Sequence, residues 1–254
     1  MSDILLVRME GPIAVLTMNR PEKRNAMSDA LIREIDAFFA KPPAEAKVAV
    51  ITGEGGHFCA GLDLSEHVER DAEQAIHHSR WWHRIMDGIQ FGGLPVVSAL
   101  SGAVIGGGLE LATATHVRVA EPSTIFQLPE GRRGIFVGGG ASVRVGRILG
   151  ADRMTEMMLT GRKYGASEGV SLGLAHYAVG EGEAFAKSME LAKTIASNAP
   201  LSNYMMIQAL SKIEDMGRSD GLFTESLCVA LAQTSPDAIE GLRAFLQKRD
   251  PDFR

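Results

Sequence analysis

Ser101-Gly102-Ala103-Val104-Ile105-Gly106-Gly107-Gly108-Leu109-Glu110 decides how this chain is read. The apolar run Pro95 to Leu100 leads into it, and helical periodicity runs from about Gly107 to Thr115. The stretch is therefore a strand, a glycine loop and the opening of a helix. Consecutive glycines at a helix start leave backbone N–H groups uncovered and let a ligand come close. The helix macrodipole adds partial positive charge there, so such an end can hold a developing oxyanion. Gly88 to Leu109 carries no charge, but its glycines, Pro95 and serines, and its passage into Glu110, predict a buried strand–loop–helix start and no membrane span.

Outward from this point the chain alternates. Ile4 to Val7 and Ile13 to Met18 flank Glu10-Gly11-Pro12 and predict a hairpin. Asn19 to Asn25 is a polar loop. Ser28 is the expected N-cap of a helix through Phe39, with Leu31, Ile35, Phe38 and Phe39 on one face and Pro42-Pro43 ending it. Val48 to Thr52 is a short strand. Glu66 to Ile89 reads as a helix with Ile76, Trp82, Ile85 and Met86 as its apolar positions. Val117 to Ala120 and Thr124 to Phe126 are further strands. From Gly138 helical periodicity dominates, with Leu174 to Val179 as one candidate strand. Glu183–Ser197, Leu201–Asp215, Gly221–Gln233 and Asp237–Gln247 read as four helices. This is an α/β core, residues 1–195, followed by a helical C-terminal segment, residues 196–254.

Composition narrows the function. Hydrophobic residues are 45% and charged residues 22%, which excludes a disordered or fibrous chain. The net charge is −5, so a non-specific nucleic-acid surface is not expected. Arg132-Arg133 with Arg144 and Arg147 is the densest basic group, and reads as a solvated face. Two cysteines, Cys59 and Cys228, give neither a disulfide framework nor a metal spacing, and the N-terminus lacks a signal-peptide core. A reduced, cytoplasmic protein is the expectation. His57, His67, His77, His78 and His83 cluster along the chain but read as exposed or core histidines, and Cys59 as a small buried residue.

Eighteen of the 28 glycines lie between Gly53 and Gly150, and three glycine-rich places stand out there. Besides the opening stretch these are Gly53 to Asp63 and Gln127 to Gly140. None is a Walker A loop, and none fits the dinucleotide-binding G-x-G-x-x-G context. Glu110 alone reads as a partner of the helix dipole, and Glu130, after Pro129, as a loop carboxylate.

The set has a recognisable form. Asn19-Arg20-Pro21 through Asn25-Ala26, Phe58-Cys59-Ala60-Gly61-Leu62-Asp63-Leu64, Gly102 through Gly106-Gly107-Gly108-Leu109-Glu110-Leu111, and Phe126-Gln127-Leu128-Pro129-Glu130 occur in order. Ala199-Pro200-Leu201, Glu240-Gly241, Phe245, Lys248 and Arg249 follow late in the chain. In these motifs the chain resembles the enoyl-CoA hydratase/isomerase (crotonase) superfamily over nearly its whole length.

The resemblance implies an α/β fold, the crotonase (ClpP-like) spiral of ββα units with a helical C-terminal trimerisation segment. It implies a homotrimer or hexamer (dimer of trimers), with an acyl-CoA thioester as substrate. It places an oxyanion hole on the N–H groups of Ala60 and Gly107, a catalytic acid and base on Glu110 and Glu130, and a water-positioning N–H on Gly138. Gly61, Asp63, Leu64 and Lys248 become substrate- or CoA-binding positions. Having both acids selects hydratase chemistry, the reversible syn addition of water to a 2-enoyl-CoA of the kind used in fatty acid metabolism. Glu110 is assigned as base toward water and Glu130 as acid toward the α-carbon. No metal or other cofactor is needed, CoA being part of the substrate. A Δ3,Δ2-enoyl-CoA isomerase is the alternative enzyme, and a CoA-thioester- or RNA-binding relative the non-enzymatic one. The sequence departs from the pattern at Val137, which stands where many hydratases have proline.

Overall fold

The computed structural model describes residues 3–66 and 68–253. β1 (Leu5–Glu10) and β2 (Ile13–Met18) form the expected antiparallel hairpin. α1 (Asp29–Ala40) opens on Ser28, whose side chain accepts from the Leu31 N–H. Its buried face is Leu31, Ile32, Ile35 and Phe39, while Phe38 packs only at the edge. β3 (Val48–Gly53) follows.

α2 (Ala72–Phe91) begins six residues later than the periodicity predicts. Asp71 and Gln74 close a reciprocal capping box that sets its start, and Leu64–Glu66 is a separate 3-10 turn. Ile76, read as apolar-facing, is exposed, and Trp82, Ile85, Met86 and Ile89 make the buried stripe. β4 (Val96–Leu100) then leads into β5 (Ala103–Ile105), a three-residue strand within the glycine stretch that the sequence reading leaves as loop. α3 (Gly107–Ala114) is buried at every position, as an eight-residue helix of small and apolar residues can be.

β6 (Val117–Ala120), β7 (Ile125–Gln127), α4 (Ala141–Leu149), α5 (Ala151–Thr160), β8 (Tyr164–Gly165), α6 (Ala166–Ser171), β9 (Tyr177–Ala178) and α7 (Ala184–Ala196) complete the layered part. Of the candidate strand Leu174 to Val179 only two residues pair, because Leu174 and Ala175 are buried in the core ahead of it. α8 (Pro200–Ile213), α9 (Arg218–Gln233) and α10 (Pro236–Gln247) end the chain.

Two sheets organise the core. The larger runs β1-β2-β3-β4-β6-β9, parallel from β2 onward, and the smaller runs β5-β7-β8. The strand interiors are mainly Val, Ile and Ala because helices cover both faces. α7 covers one face through Ala184, Met189 and Ala192, and α1, α2 and α3 lie on the other. The isolated bridge Cys59–Val104 attaches the loop after β3 to the smaller sheet, and Met27–Leu62 attaches the same loop to the segment before α1. That attachment brings the first glycine loop against the second. Among the described residues no helix is long and apolar enough to cross a membrane.

Candidate active site

A cavity opens where the smaller sheet meets the start of α3. It has two connected parts that share Leu62, Gly107, Glu130 and Ile135. One is a slot of about 80 Å³ between Ala60–Leu62, Leu64, Ile105–Gly107, Pro129 and Arg133. The other is a chamber of about 390 Å³ bounded by α2 (Ala75, His78, Ser79, Trp82), by Glu110 and by Ile135–Gly139. Phe136 is 71% exposed at its rim.

Gly107 is the first residue of α3, and its N–H has no hydrogen-bond partner among the described residues. The N–H of Ala60 does not serve as its companion. It donates to the carbonyl of Arg24 at 3.0 Å and is therefore occupied. The free donor is two residues on. Met27 donates to the Gly61 carbonyl and Asp63 donates to Met27, which leaves the Leu62 N–H outside this ladder. Gly61, at φ +95, turns the chain so that Leu62 lines both parts of the cavity with Gly107. The unbonded N–H groups on the cavity are therefore those of Leu62 and Gly107, while the Ala60 N–H is taken up by Arg24, a difference that depends on the register with Met27.

Glu110 lies in the first turn of α3 and is 4% exposed. One oxygen, Oε1, accepts from Gly139 N–H at 2.8 Å and Ala141 N–H at 3.1 Å, at the start of α4. Burial pushes the Glu110 pKa up, and those two amides and the Arg144 guanidinium oppose the rise. A side chain at Gly139 would come within 2.5 Å of the other Glu110 oxygen, so the loop needs glycine there for close approach.

Glu130 follows β7 at the head of a 3-10 turn and is 7% exposed. Its Oε2 is buried and has no hydrogen-bond partner among the described residues. Burial, and then the Glu110 charge, push its pKa up to about 7. Gly106, at φ +53, passes under it, and a Cβ there would meet Glu130 Oε1 at 3.0 Å. The site thus holds one carboxyl whose Oε1 takes two loop amides and one whose Oε2 is bare.

The remaining expected residues divide. Gly61 and Leu64 line the slot and Gly138 the chamber. Asp63 lines neither. It is 5% exposed and bonded to Arg20 at 2.7 Å, Lys23 at 2.9 Å and the Ser65 hydroxyl at 2.6 Å, so it orders the loop. Lys248 stands exposed in a left-handed cap at the end of α10, away from both parts of the cavity in its own chain.

Three residues escape the sequence reading. Trp82 puts its ring edge between Gly107 and Gly139, 3.2 and 3.1 Å from where a Cβ would stand on each. Ser79 donates to the Gly138 carbonyl at 2.6 Å. Arg144, expected on a solvated face, has a side chain only 9% exposed. It donates to Gln90 at 2.7 Å, Asp87 at 2.6 Å and the Gly139 carbonyl at 3.3 Å. The signal available was the spacing of Ser79, His83, Asp87 and Gln90, one stripe of α2.

Cys59 is fully buried and its thiol is pushed up to about 12 by burial, so it is no nucleophile. His57 accepts from the Ala103 N–H at 3.1 Å, and His78 pairs with Asp29 at 3.0 Å. His67 lies outside the described residues. No cluster of metal-ligating side chains occurs among the described residues.

The sequence profile of the Enoyl-CoA hydratase/isomerase family matches residues 8–254. Enoyl-CoA hydratase EchA19 of Mycobacterium tuberculosis is 30% identical, covering 98% of this chain and 96% of that one. The 2,3-dehydroadipyl-CoA hydratase of Escherichia coli is 33% identical, covering 100% and 99%. A crystal structure from Rhodopseudomonas palustris, named provisionally as an enoyl-CoA hydratase, is 49% identical with a TM-score of 0.94 over 96% and 95%. In fold, motifs and length alike, the chain belongs to the enoyl-CoA hydratase/isomerase superfamily and has the crotonase fold.

Proposed function

We propose that this protein is an enoyl-CoA hydratase, adding water reversibly and syn to a 2-enoyl-CoA. The observation that carries the reading is the pair of buried carboxyls, Glu110 with two N–H donors and Glu130 with a bare oxygen, on one cavity. A conjugated thioester resists water until its carbonyl oxygen can take up charge. The free N–H groups of Leu62 and Gly107 are placed to receive that charge, and preorganised donors of this kind give ~10²–10³-fold each. The thioester would straddle Gly107, with CoA leaving through the slot and the acyl group in the chamber against Trp82 and Ile135–Val137.

Glu110, as carboxylate, takes a proton from water as its oxygen bonds to the β-carbon. Glu130, as acid, delivers a proton to the α-carbon as the enolate collapses. Water is consumed and no electron changes hands, and the two carboxyls exchange roles in dehydration. No metal or cofactor is required by this route. The exposed apolar residues of the C-terminal helices, among them Leu222, Phe223, Leu242 and Phe245, support assembly as a homotrimer or dimer of trimers.

The test is loss of the conjugated-thioester absorbance when purified, metal-free protein meets crotonyl-CoA. Turnover is expected, and Glu110→Gln and Glu130→Gln should each cut kcat by ~10²–10⁴-fold, the range for a general acid or base. Wild-type rates in both variants would remove the two-acid mechanism. Conversion of a 3-enoyl-CoA with no water addition would replace the hydratase by an isomerase.

A further inference from the structure

Ser79, His83, Asp87 and Gln90 follow one another at helical spacing along α2 and face the loop that carries Glu110's donors. Asp87 and Gln90 act on it through Arg144. Ser79 acts directly, because its hydroxyl donates to the carbonyl of Gly138 at 2.6 Å. The N–H of Gly139, which donates to Glu110 Oε1 at 2.8 Å, belongs to the same peptide unit as that carbonyl. A trans peptide is planar, with C=O and N–H pointing in opposite directions. Fixing the oxygen therefore fixes the direction of the hydrogen. The two bonds also reinforce each other, since a donor on the oxygen draws charge from the nitrogen and makes its N–H a stronger donor.

Resting on the hydratase reading, we propose that Ser79 is a positioning residue for the reaction. Its hydroxyl orients and polarises the Gly138–Gly139 peptide, and that peptide holds Glu110 as the carboxylate that receives the proton of water. The other groups facing this carboxylate are Glu130 across the cavity and Arg144 from α4, with His83 and Asp87 behind them on α2. His83 Nε2 lies 3.4 Å from the Ser79 oxygen. Burial, then the charges of Arg80 and Arg144, lower its pKa from the ordinary value, against the opposing charge of Asp87.

The experiment titrates Glu110 in the ligand-free full chain by infrared spectroscopy with isotope-labelled glutamate, using Glu110→Gln and Glu130→Gln for assignment. Ser79→Ala should raise the Glu110 midpoint by about one pH unit, the size of one hydrogen bond to a charged group. Ser79→Thr, which keeps the hydroxyl, should restore it. With crotonyl-CoA, the acid limb of kcat/KM should move by the same amount in Ser79→Ala. On that limb kcat should fall about tenfold while KM stays within about twofold. A Glu110 midpoint identical in wild type, Ser79→Ala and Ser79→Thr overturns the proposal, whether or not any enoyl-CoA is turned over. A shifted midpoint in a protein that hydrates nothing keeps the Ser79–peptide–Glu110 link and removes the hydratase reading instead.

Discussion

The Glu130 pKa is pushed up to about 7 because burial strips water from its carboxyl, most completely from Oε2, and the Glu110 charge stands near. Glu110 is also raised by burial, yet two amides and Arg144 draw it back toward the carboxylate. On the proposed hydratase reading, Glu110 must be charged and Glu130 neutral together. The kcat/KM profile should therefore be bell-shaped, its alkaline limb near pH 7 where Glu130 ionises and its acid limb where Glu110 takes up a proton. A rate that rises through pH 8 in steady-state assays would show that Glu130 is not the acid. At this scale the gathering of Glu110, Glu130 and Gly107 on one cavity was legible, because each sits in a motif of fixed spacing. The hydrogen bonding of the first loop was not, since the Ala60 N–H is taken up by Arg24 and the unbonded one on the cavity is that of Leu62. Ala60 and Leu62 are separated only by which of them pairs with the Arg24–Met27 segment, and that pairing is formed by a residue stretch more than thirty positions earlier.

Helix α2 is the element that most exceeds its sequence signal. Polar residues at helical spacing read as a solvated face, and Ser79, Asp87 and Gln90 look no different from such a face until α4 packs opposite them. The late start of α2 has a comparable cause, since the Asp71–Gln74 capping box outweighs the helical propensity of the residues before it. Arg144 joins α4 to this helix and to the Gly139 carbonyl. Arg144→Gln should leave the secondary structure intact by circular dichroism and lower kcat by about tenfold or more, the loss of charge-assisted hydrogen bonds that hold the loop. Gly106→Ala should do as much by a different route. It forces a Cβ at φ +53 against the Glu130 carboxyl, and its effect should fall on the alkaline limb.

Across the whole molecule the site carries a stability cost that pH reveals. The Glu130 pKa lies near 7 in the fold against an ordinary 4.5, so the native state holds a proton that the unfolded chain has released between those values. Stability from this group is complete below pH 4.5 and is lost as pH rises through 7. Glu130→Gln, which cannot ionise, should be more stable than wild type at pH 8 by up to ~3 kcal/mol, with the gap closing toward pH 5. Thermal unfolding at the two pH values checks this, and an equal gap at both would mean the carboxyl is ordinary. The alternation of strands and helices, and the purely helical end of the chain, were legible from periodicity. The division into two sheets was not, because β5 and β8 are three and two residues long and exist only by pairing with β7.

Cys59 gives the site a built-in clock. Its thiol is sealed within the loop segment that bridges to Val104 and runs on to Leu62, while Cys228 on α9 is partly accessible. A thiol-modifying reagent should mark Cys228 at once and Cys59 only when that segment lifts from Val104. The slow phase of labelling, followed in a Cys228→Ser chain, then times the opening of the Leu62 donor without any substrate or turnover. A thioester seated on Leu62 and Gly107 should slow it.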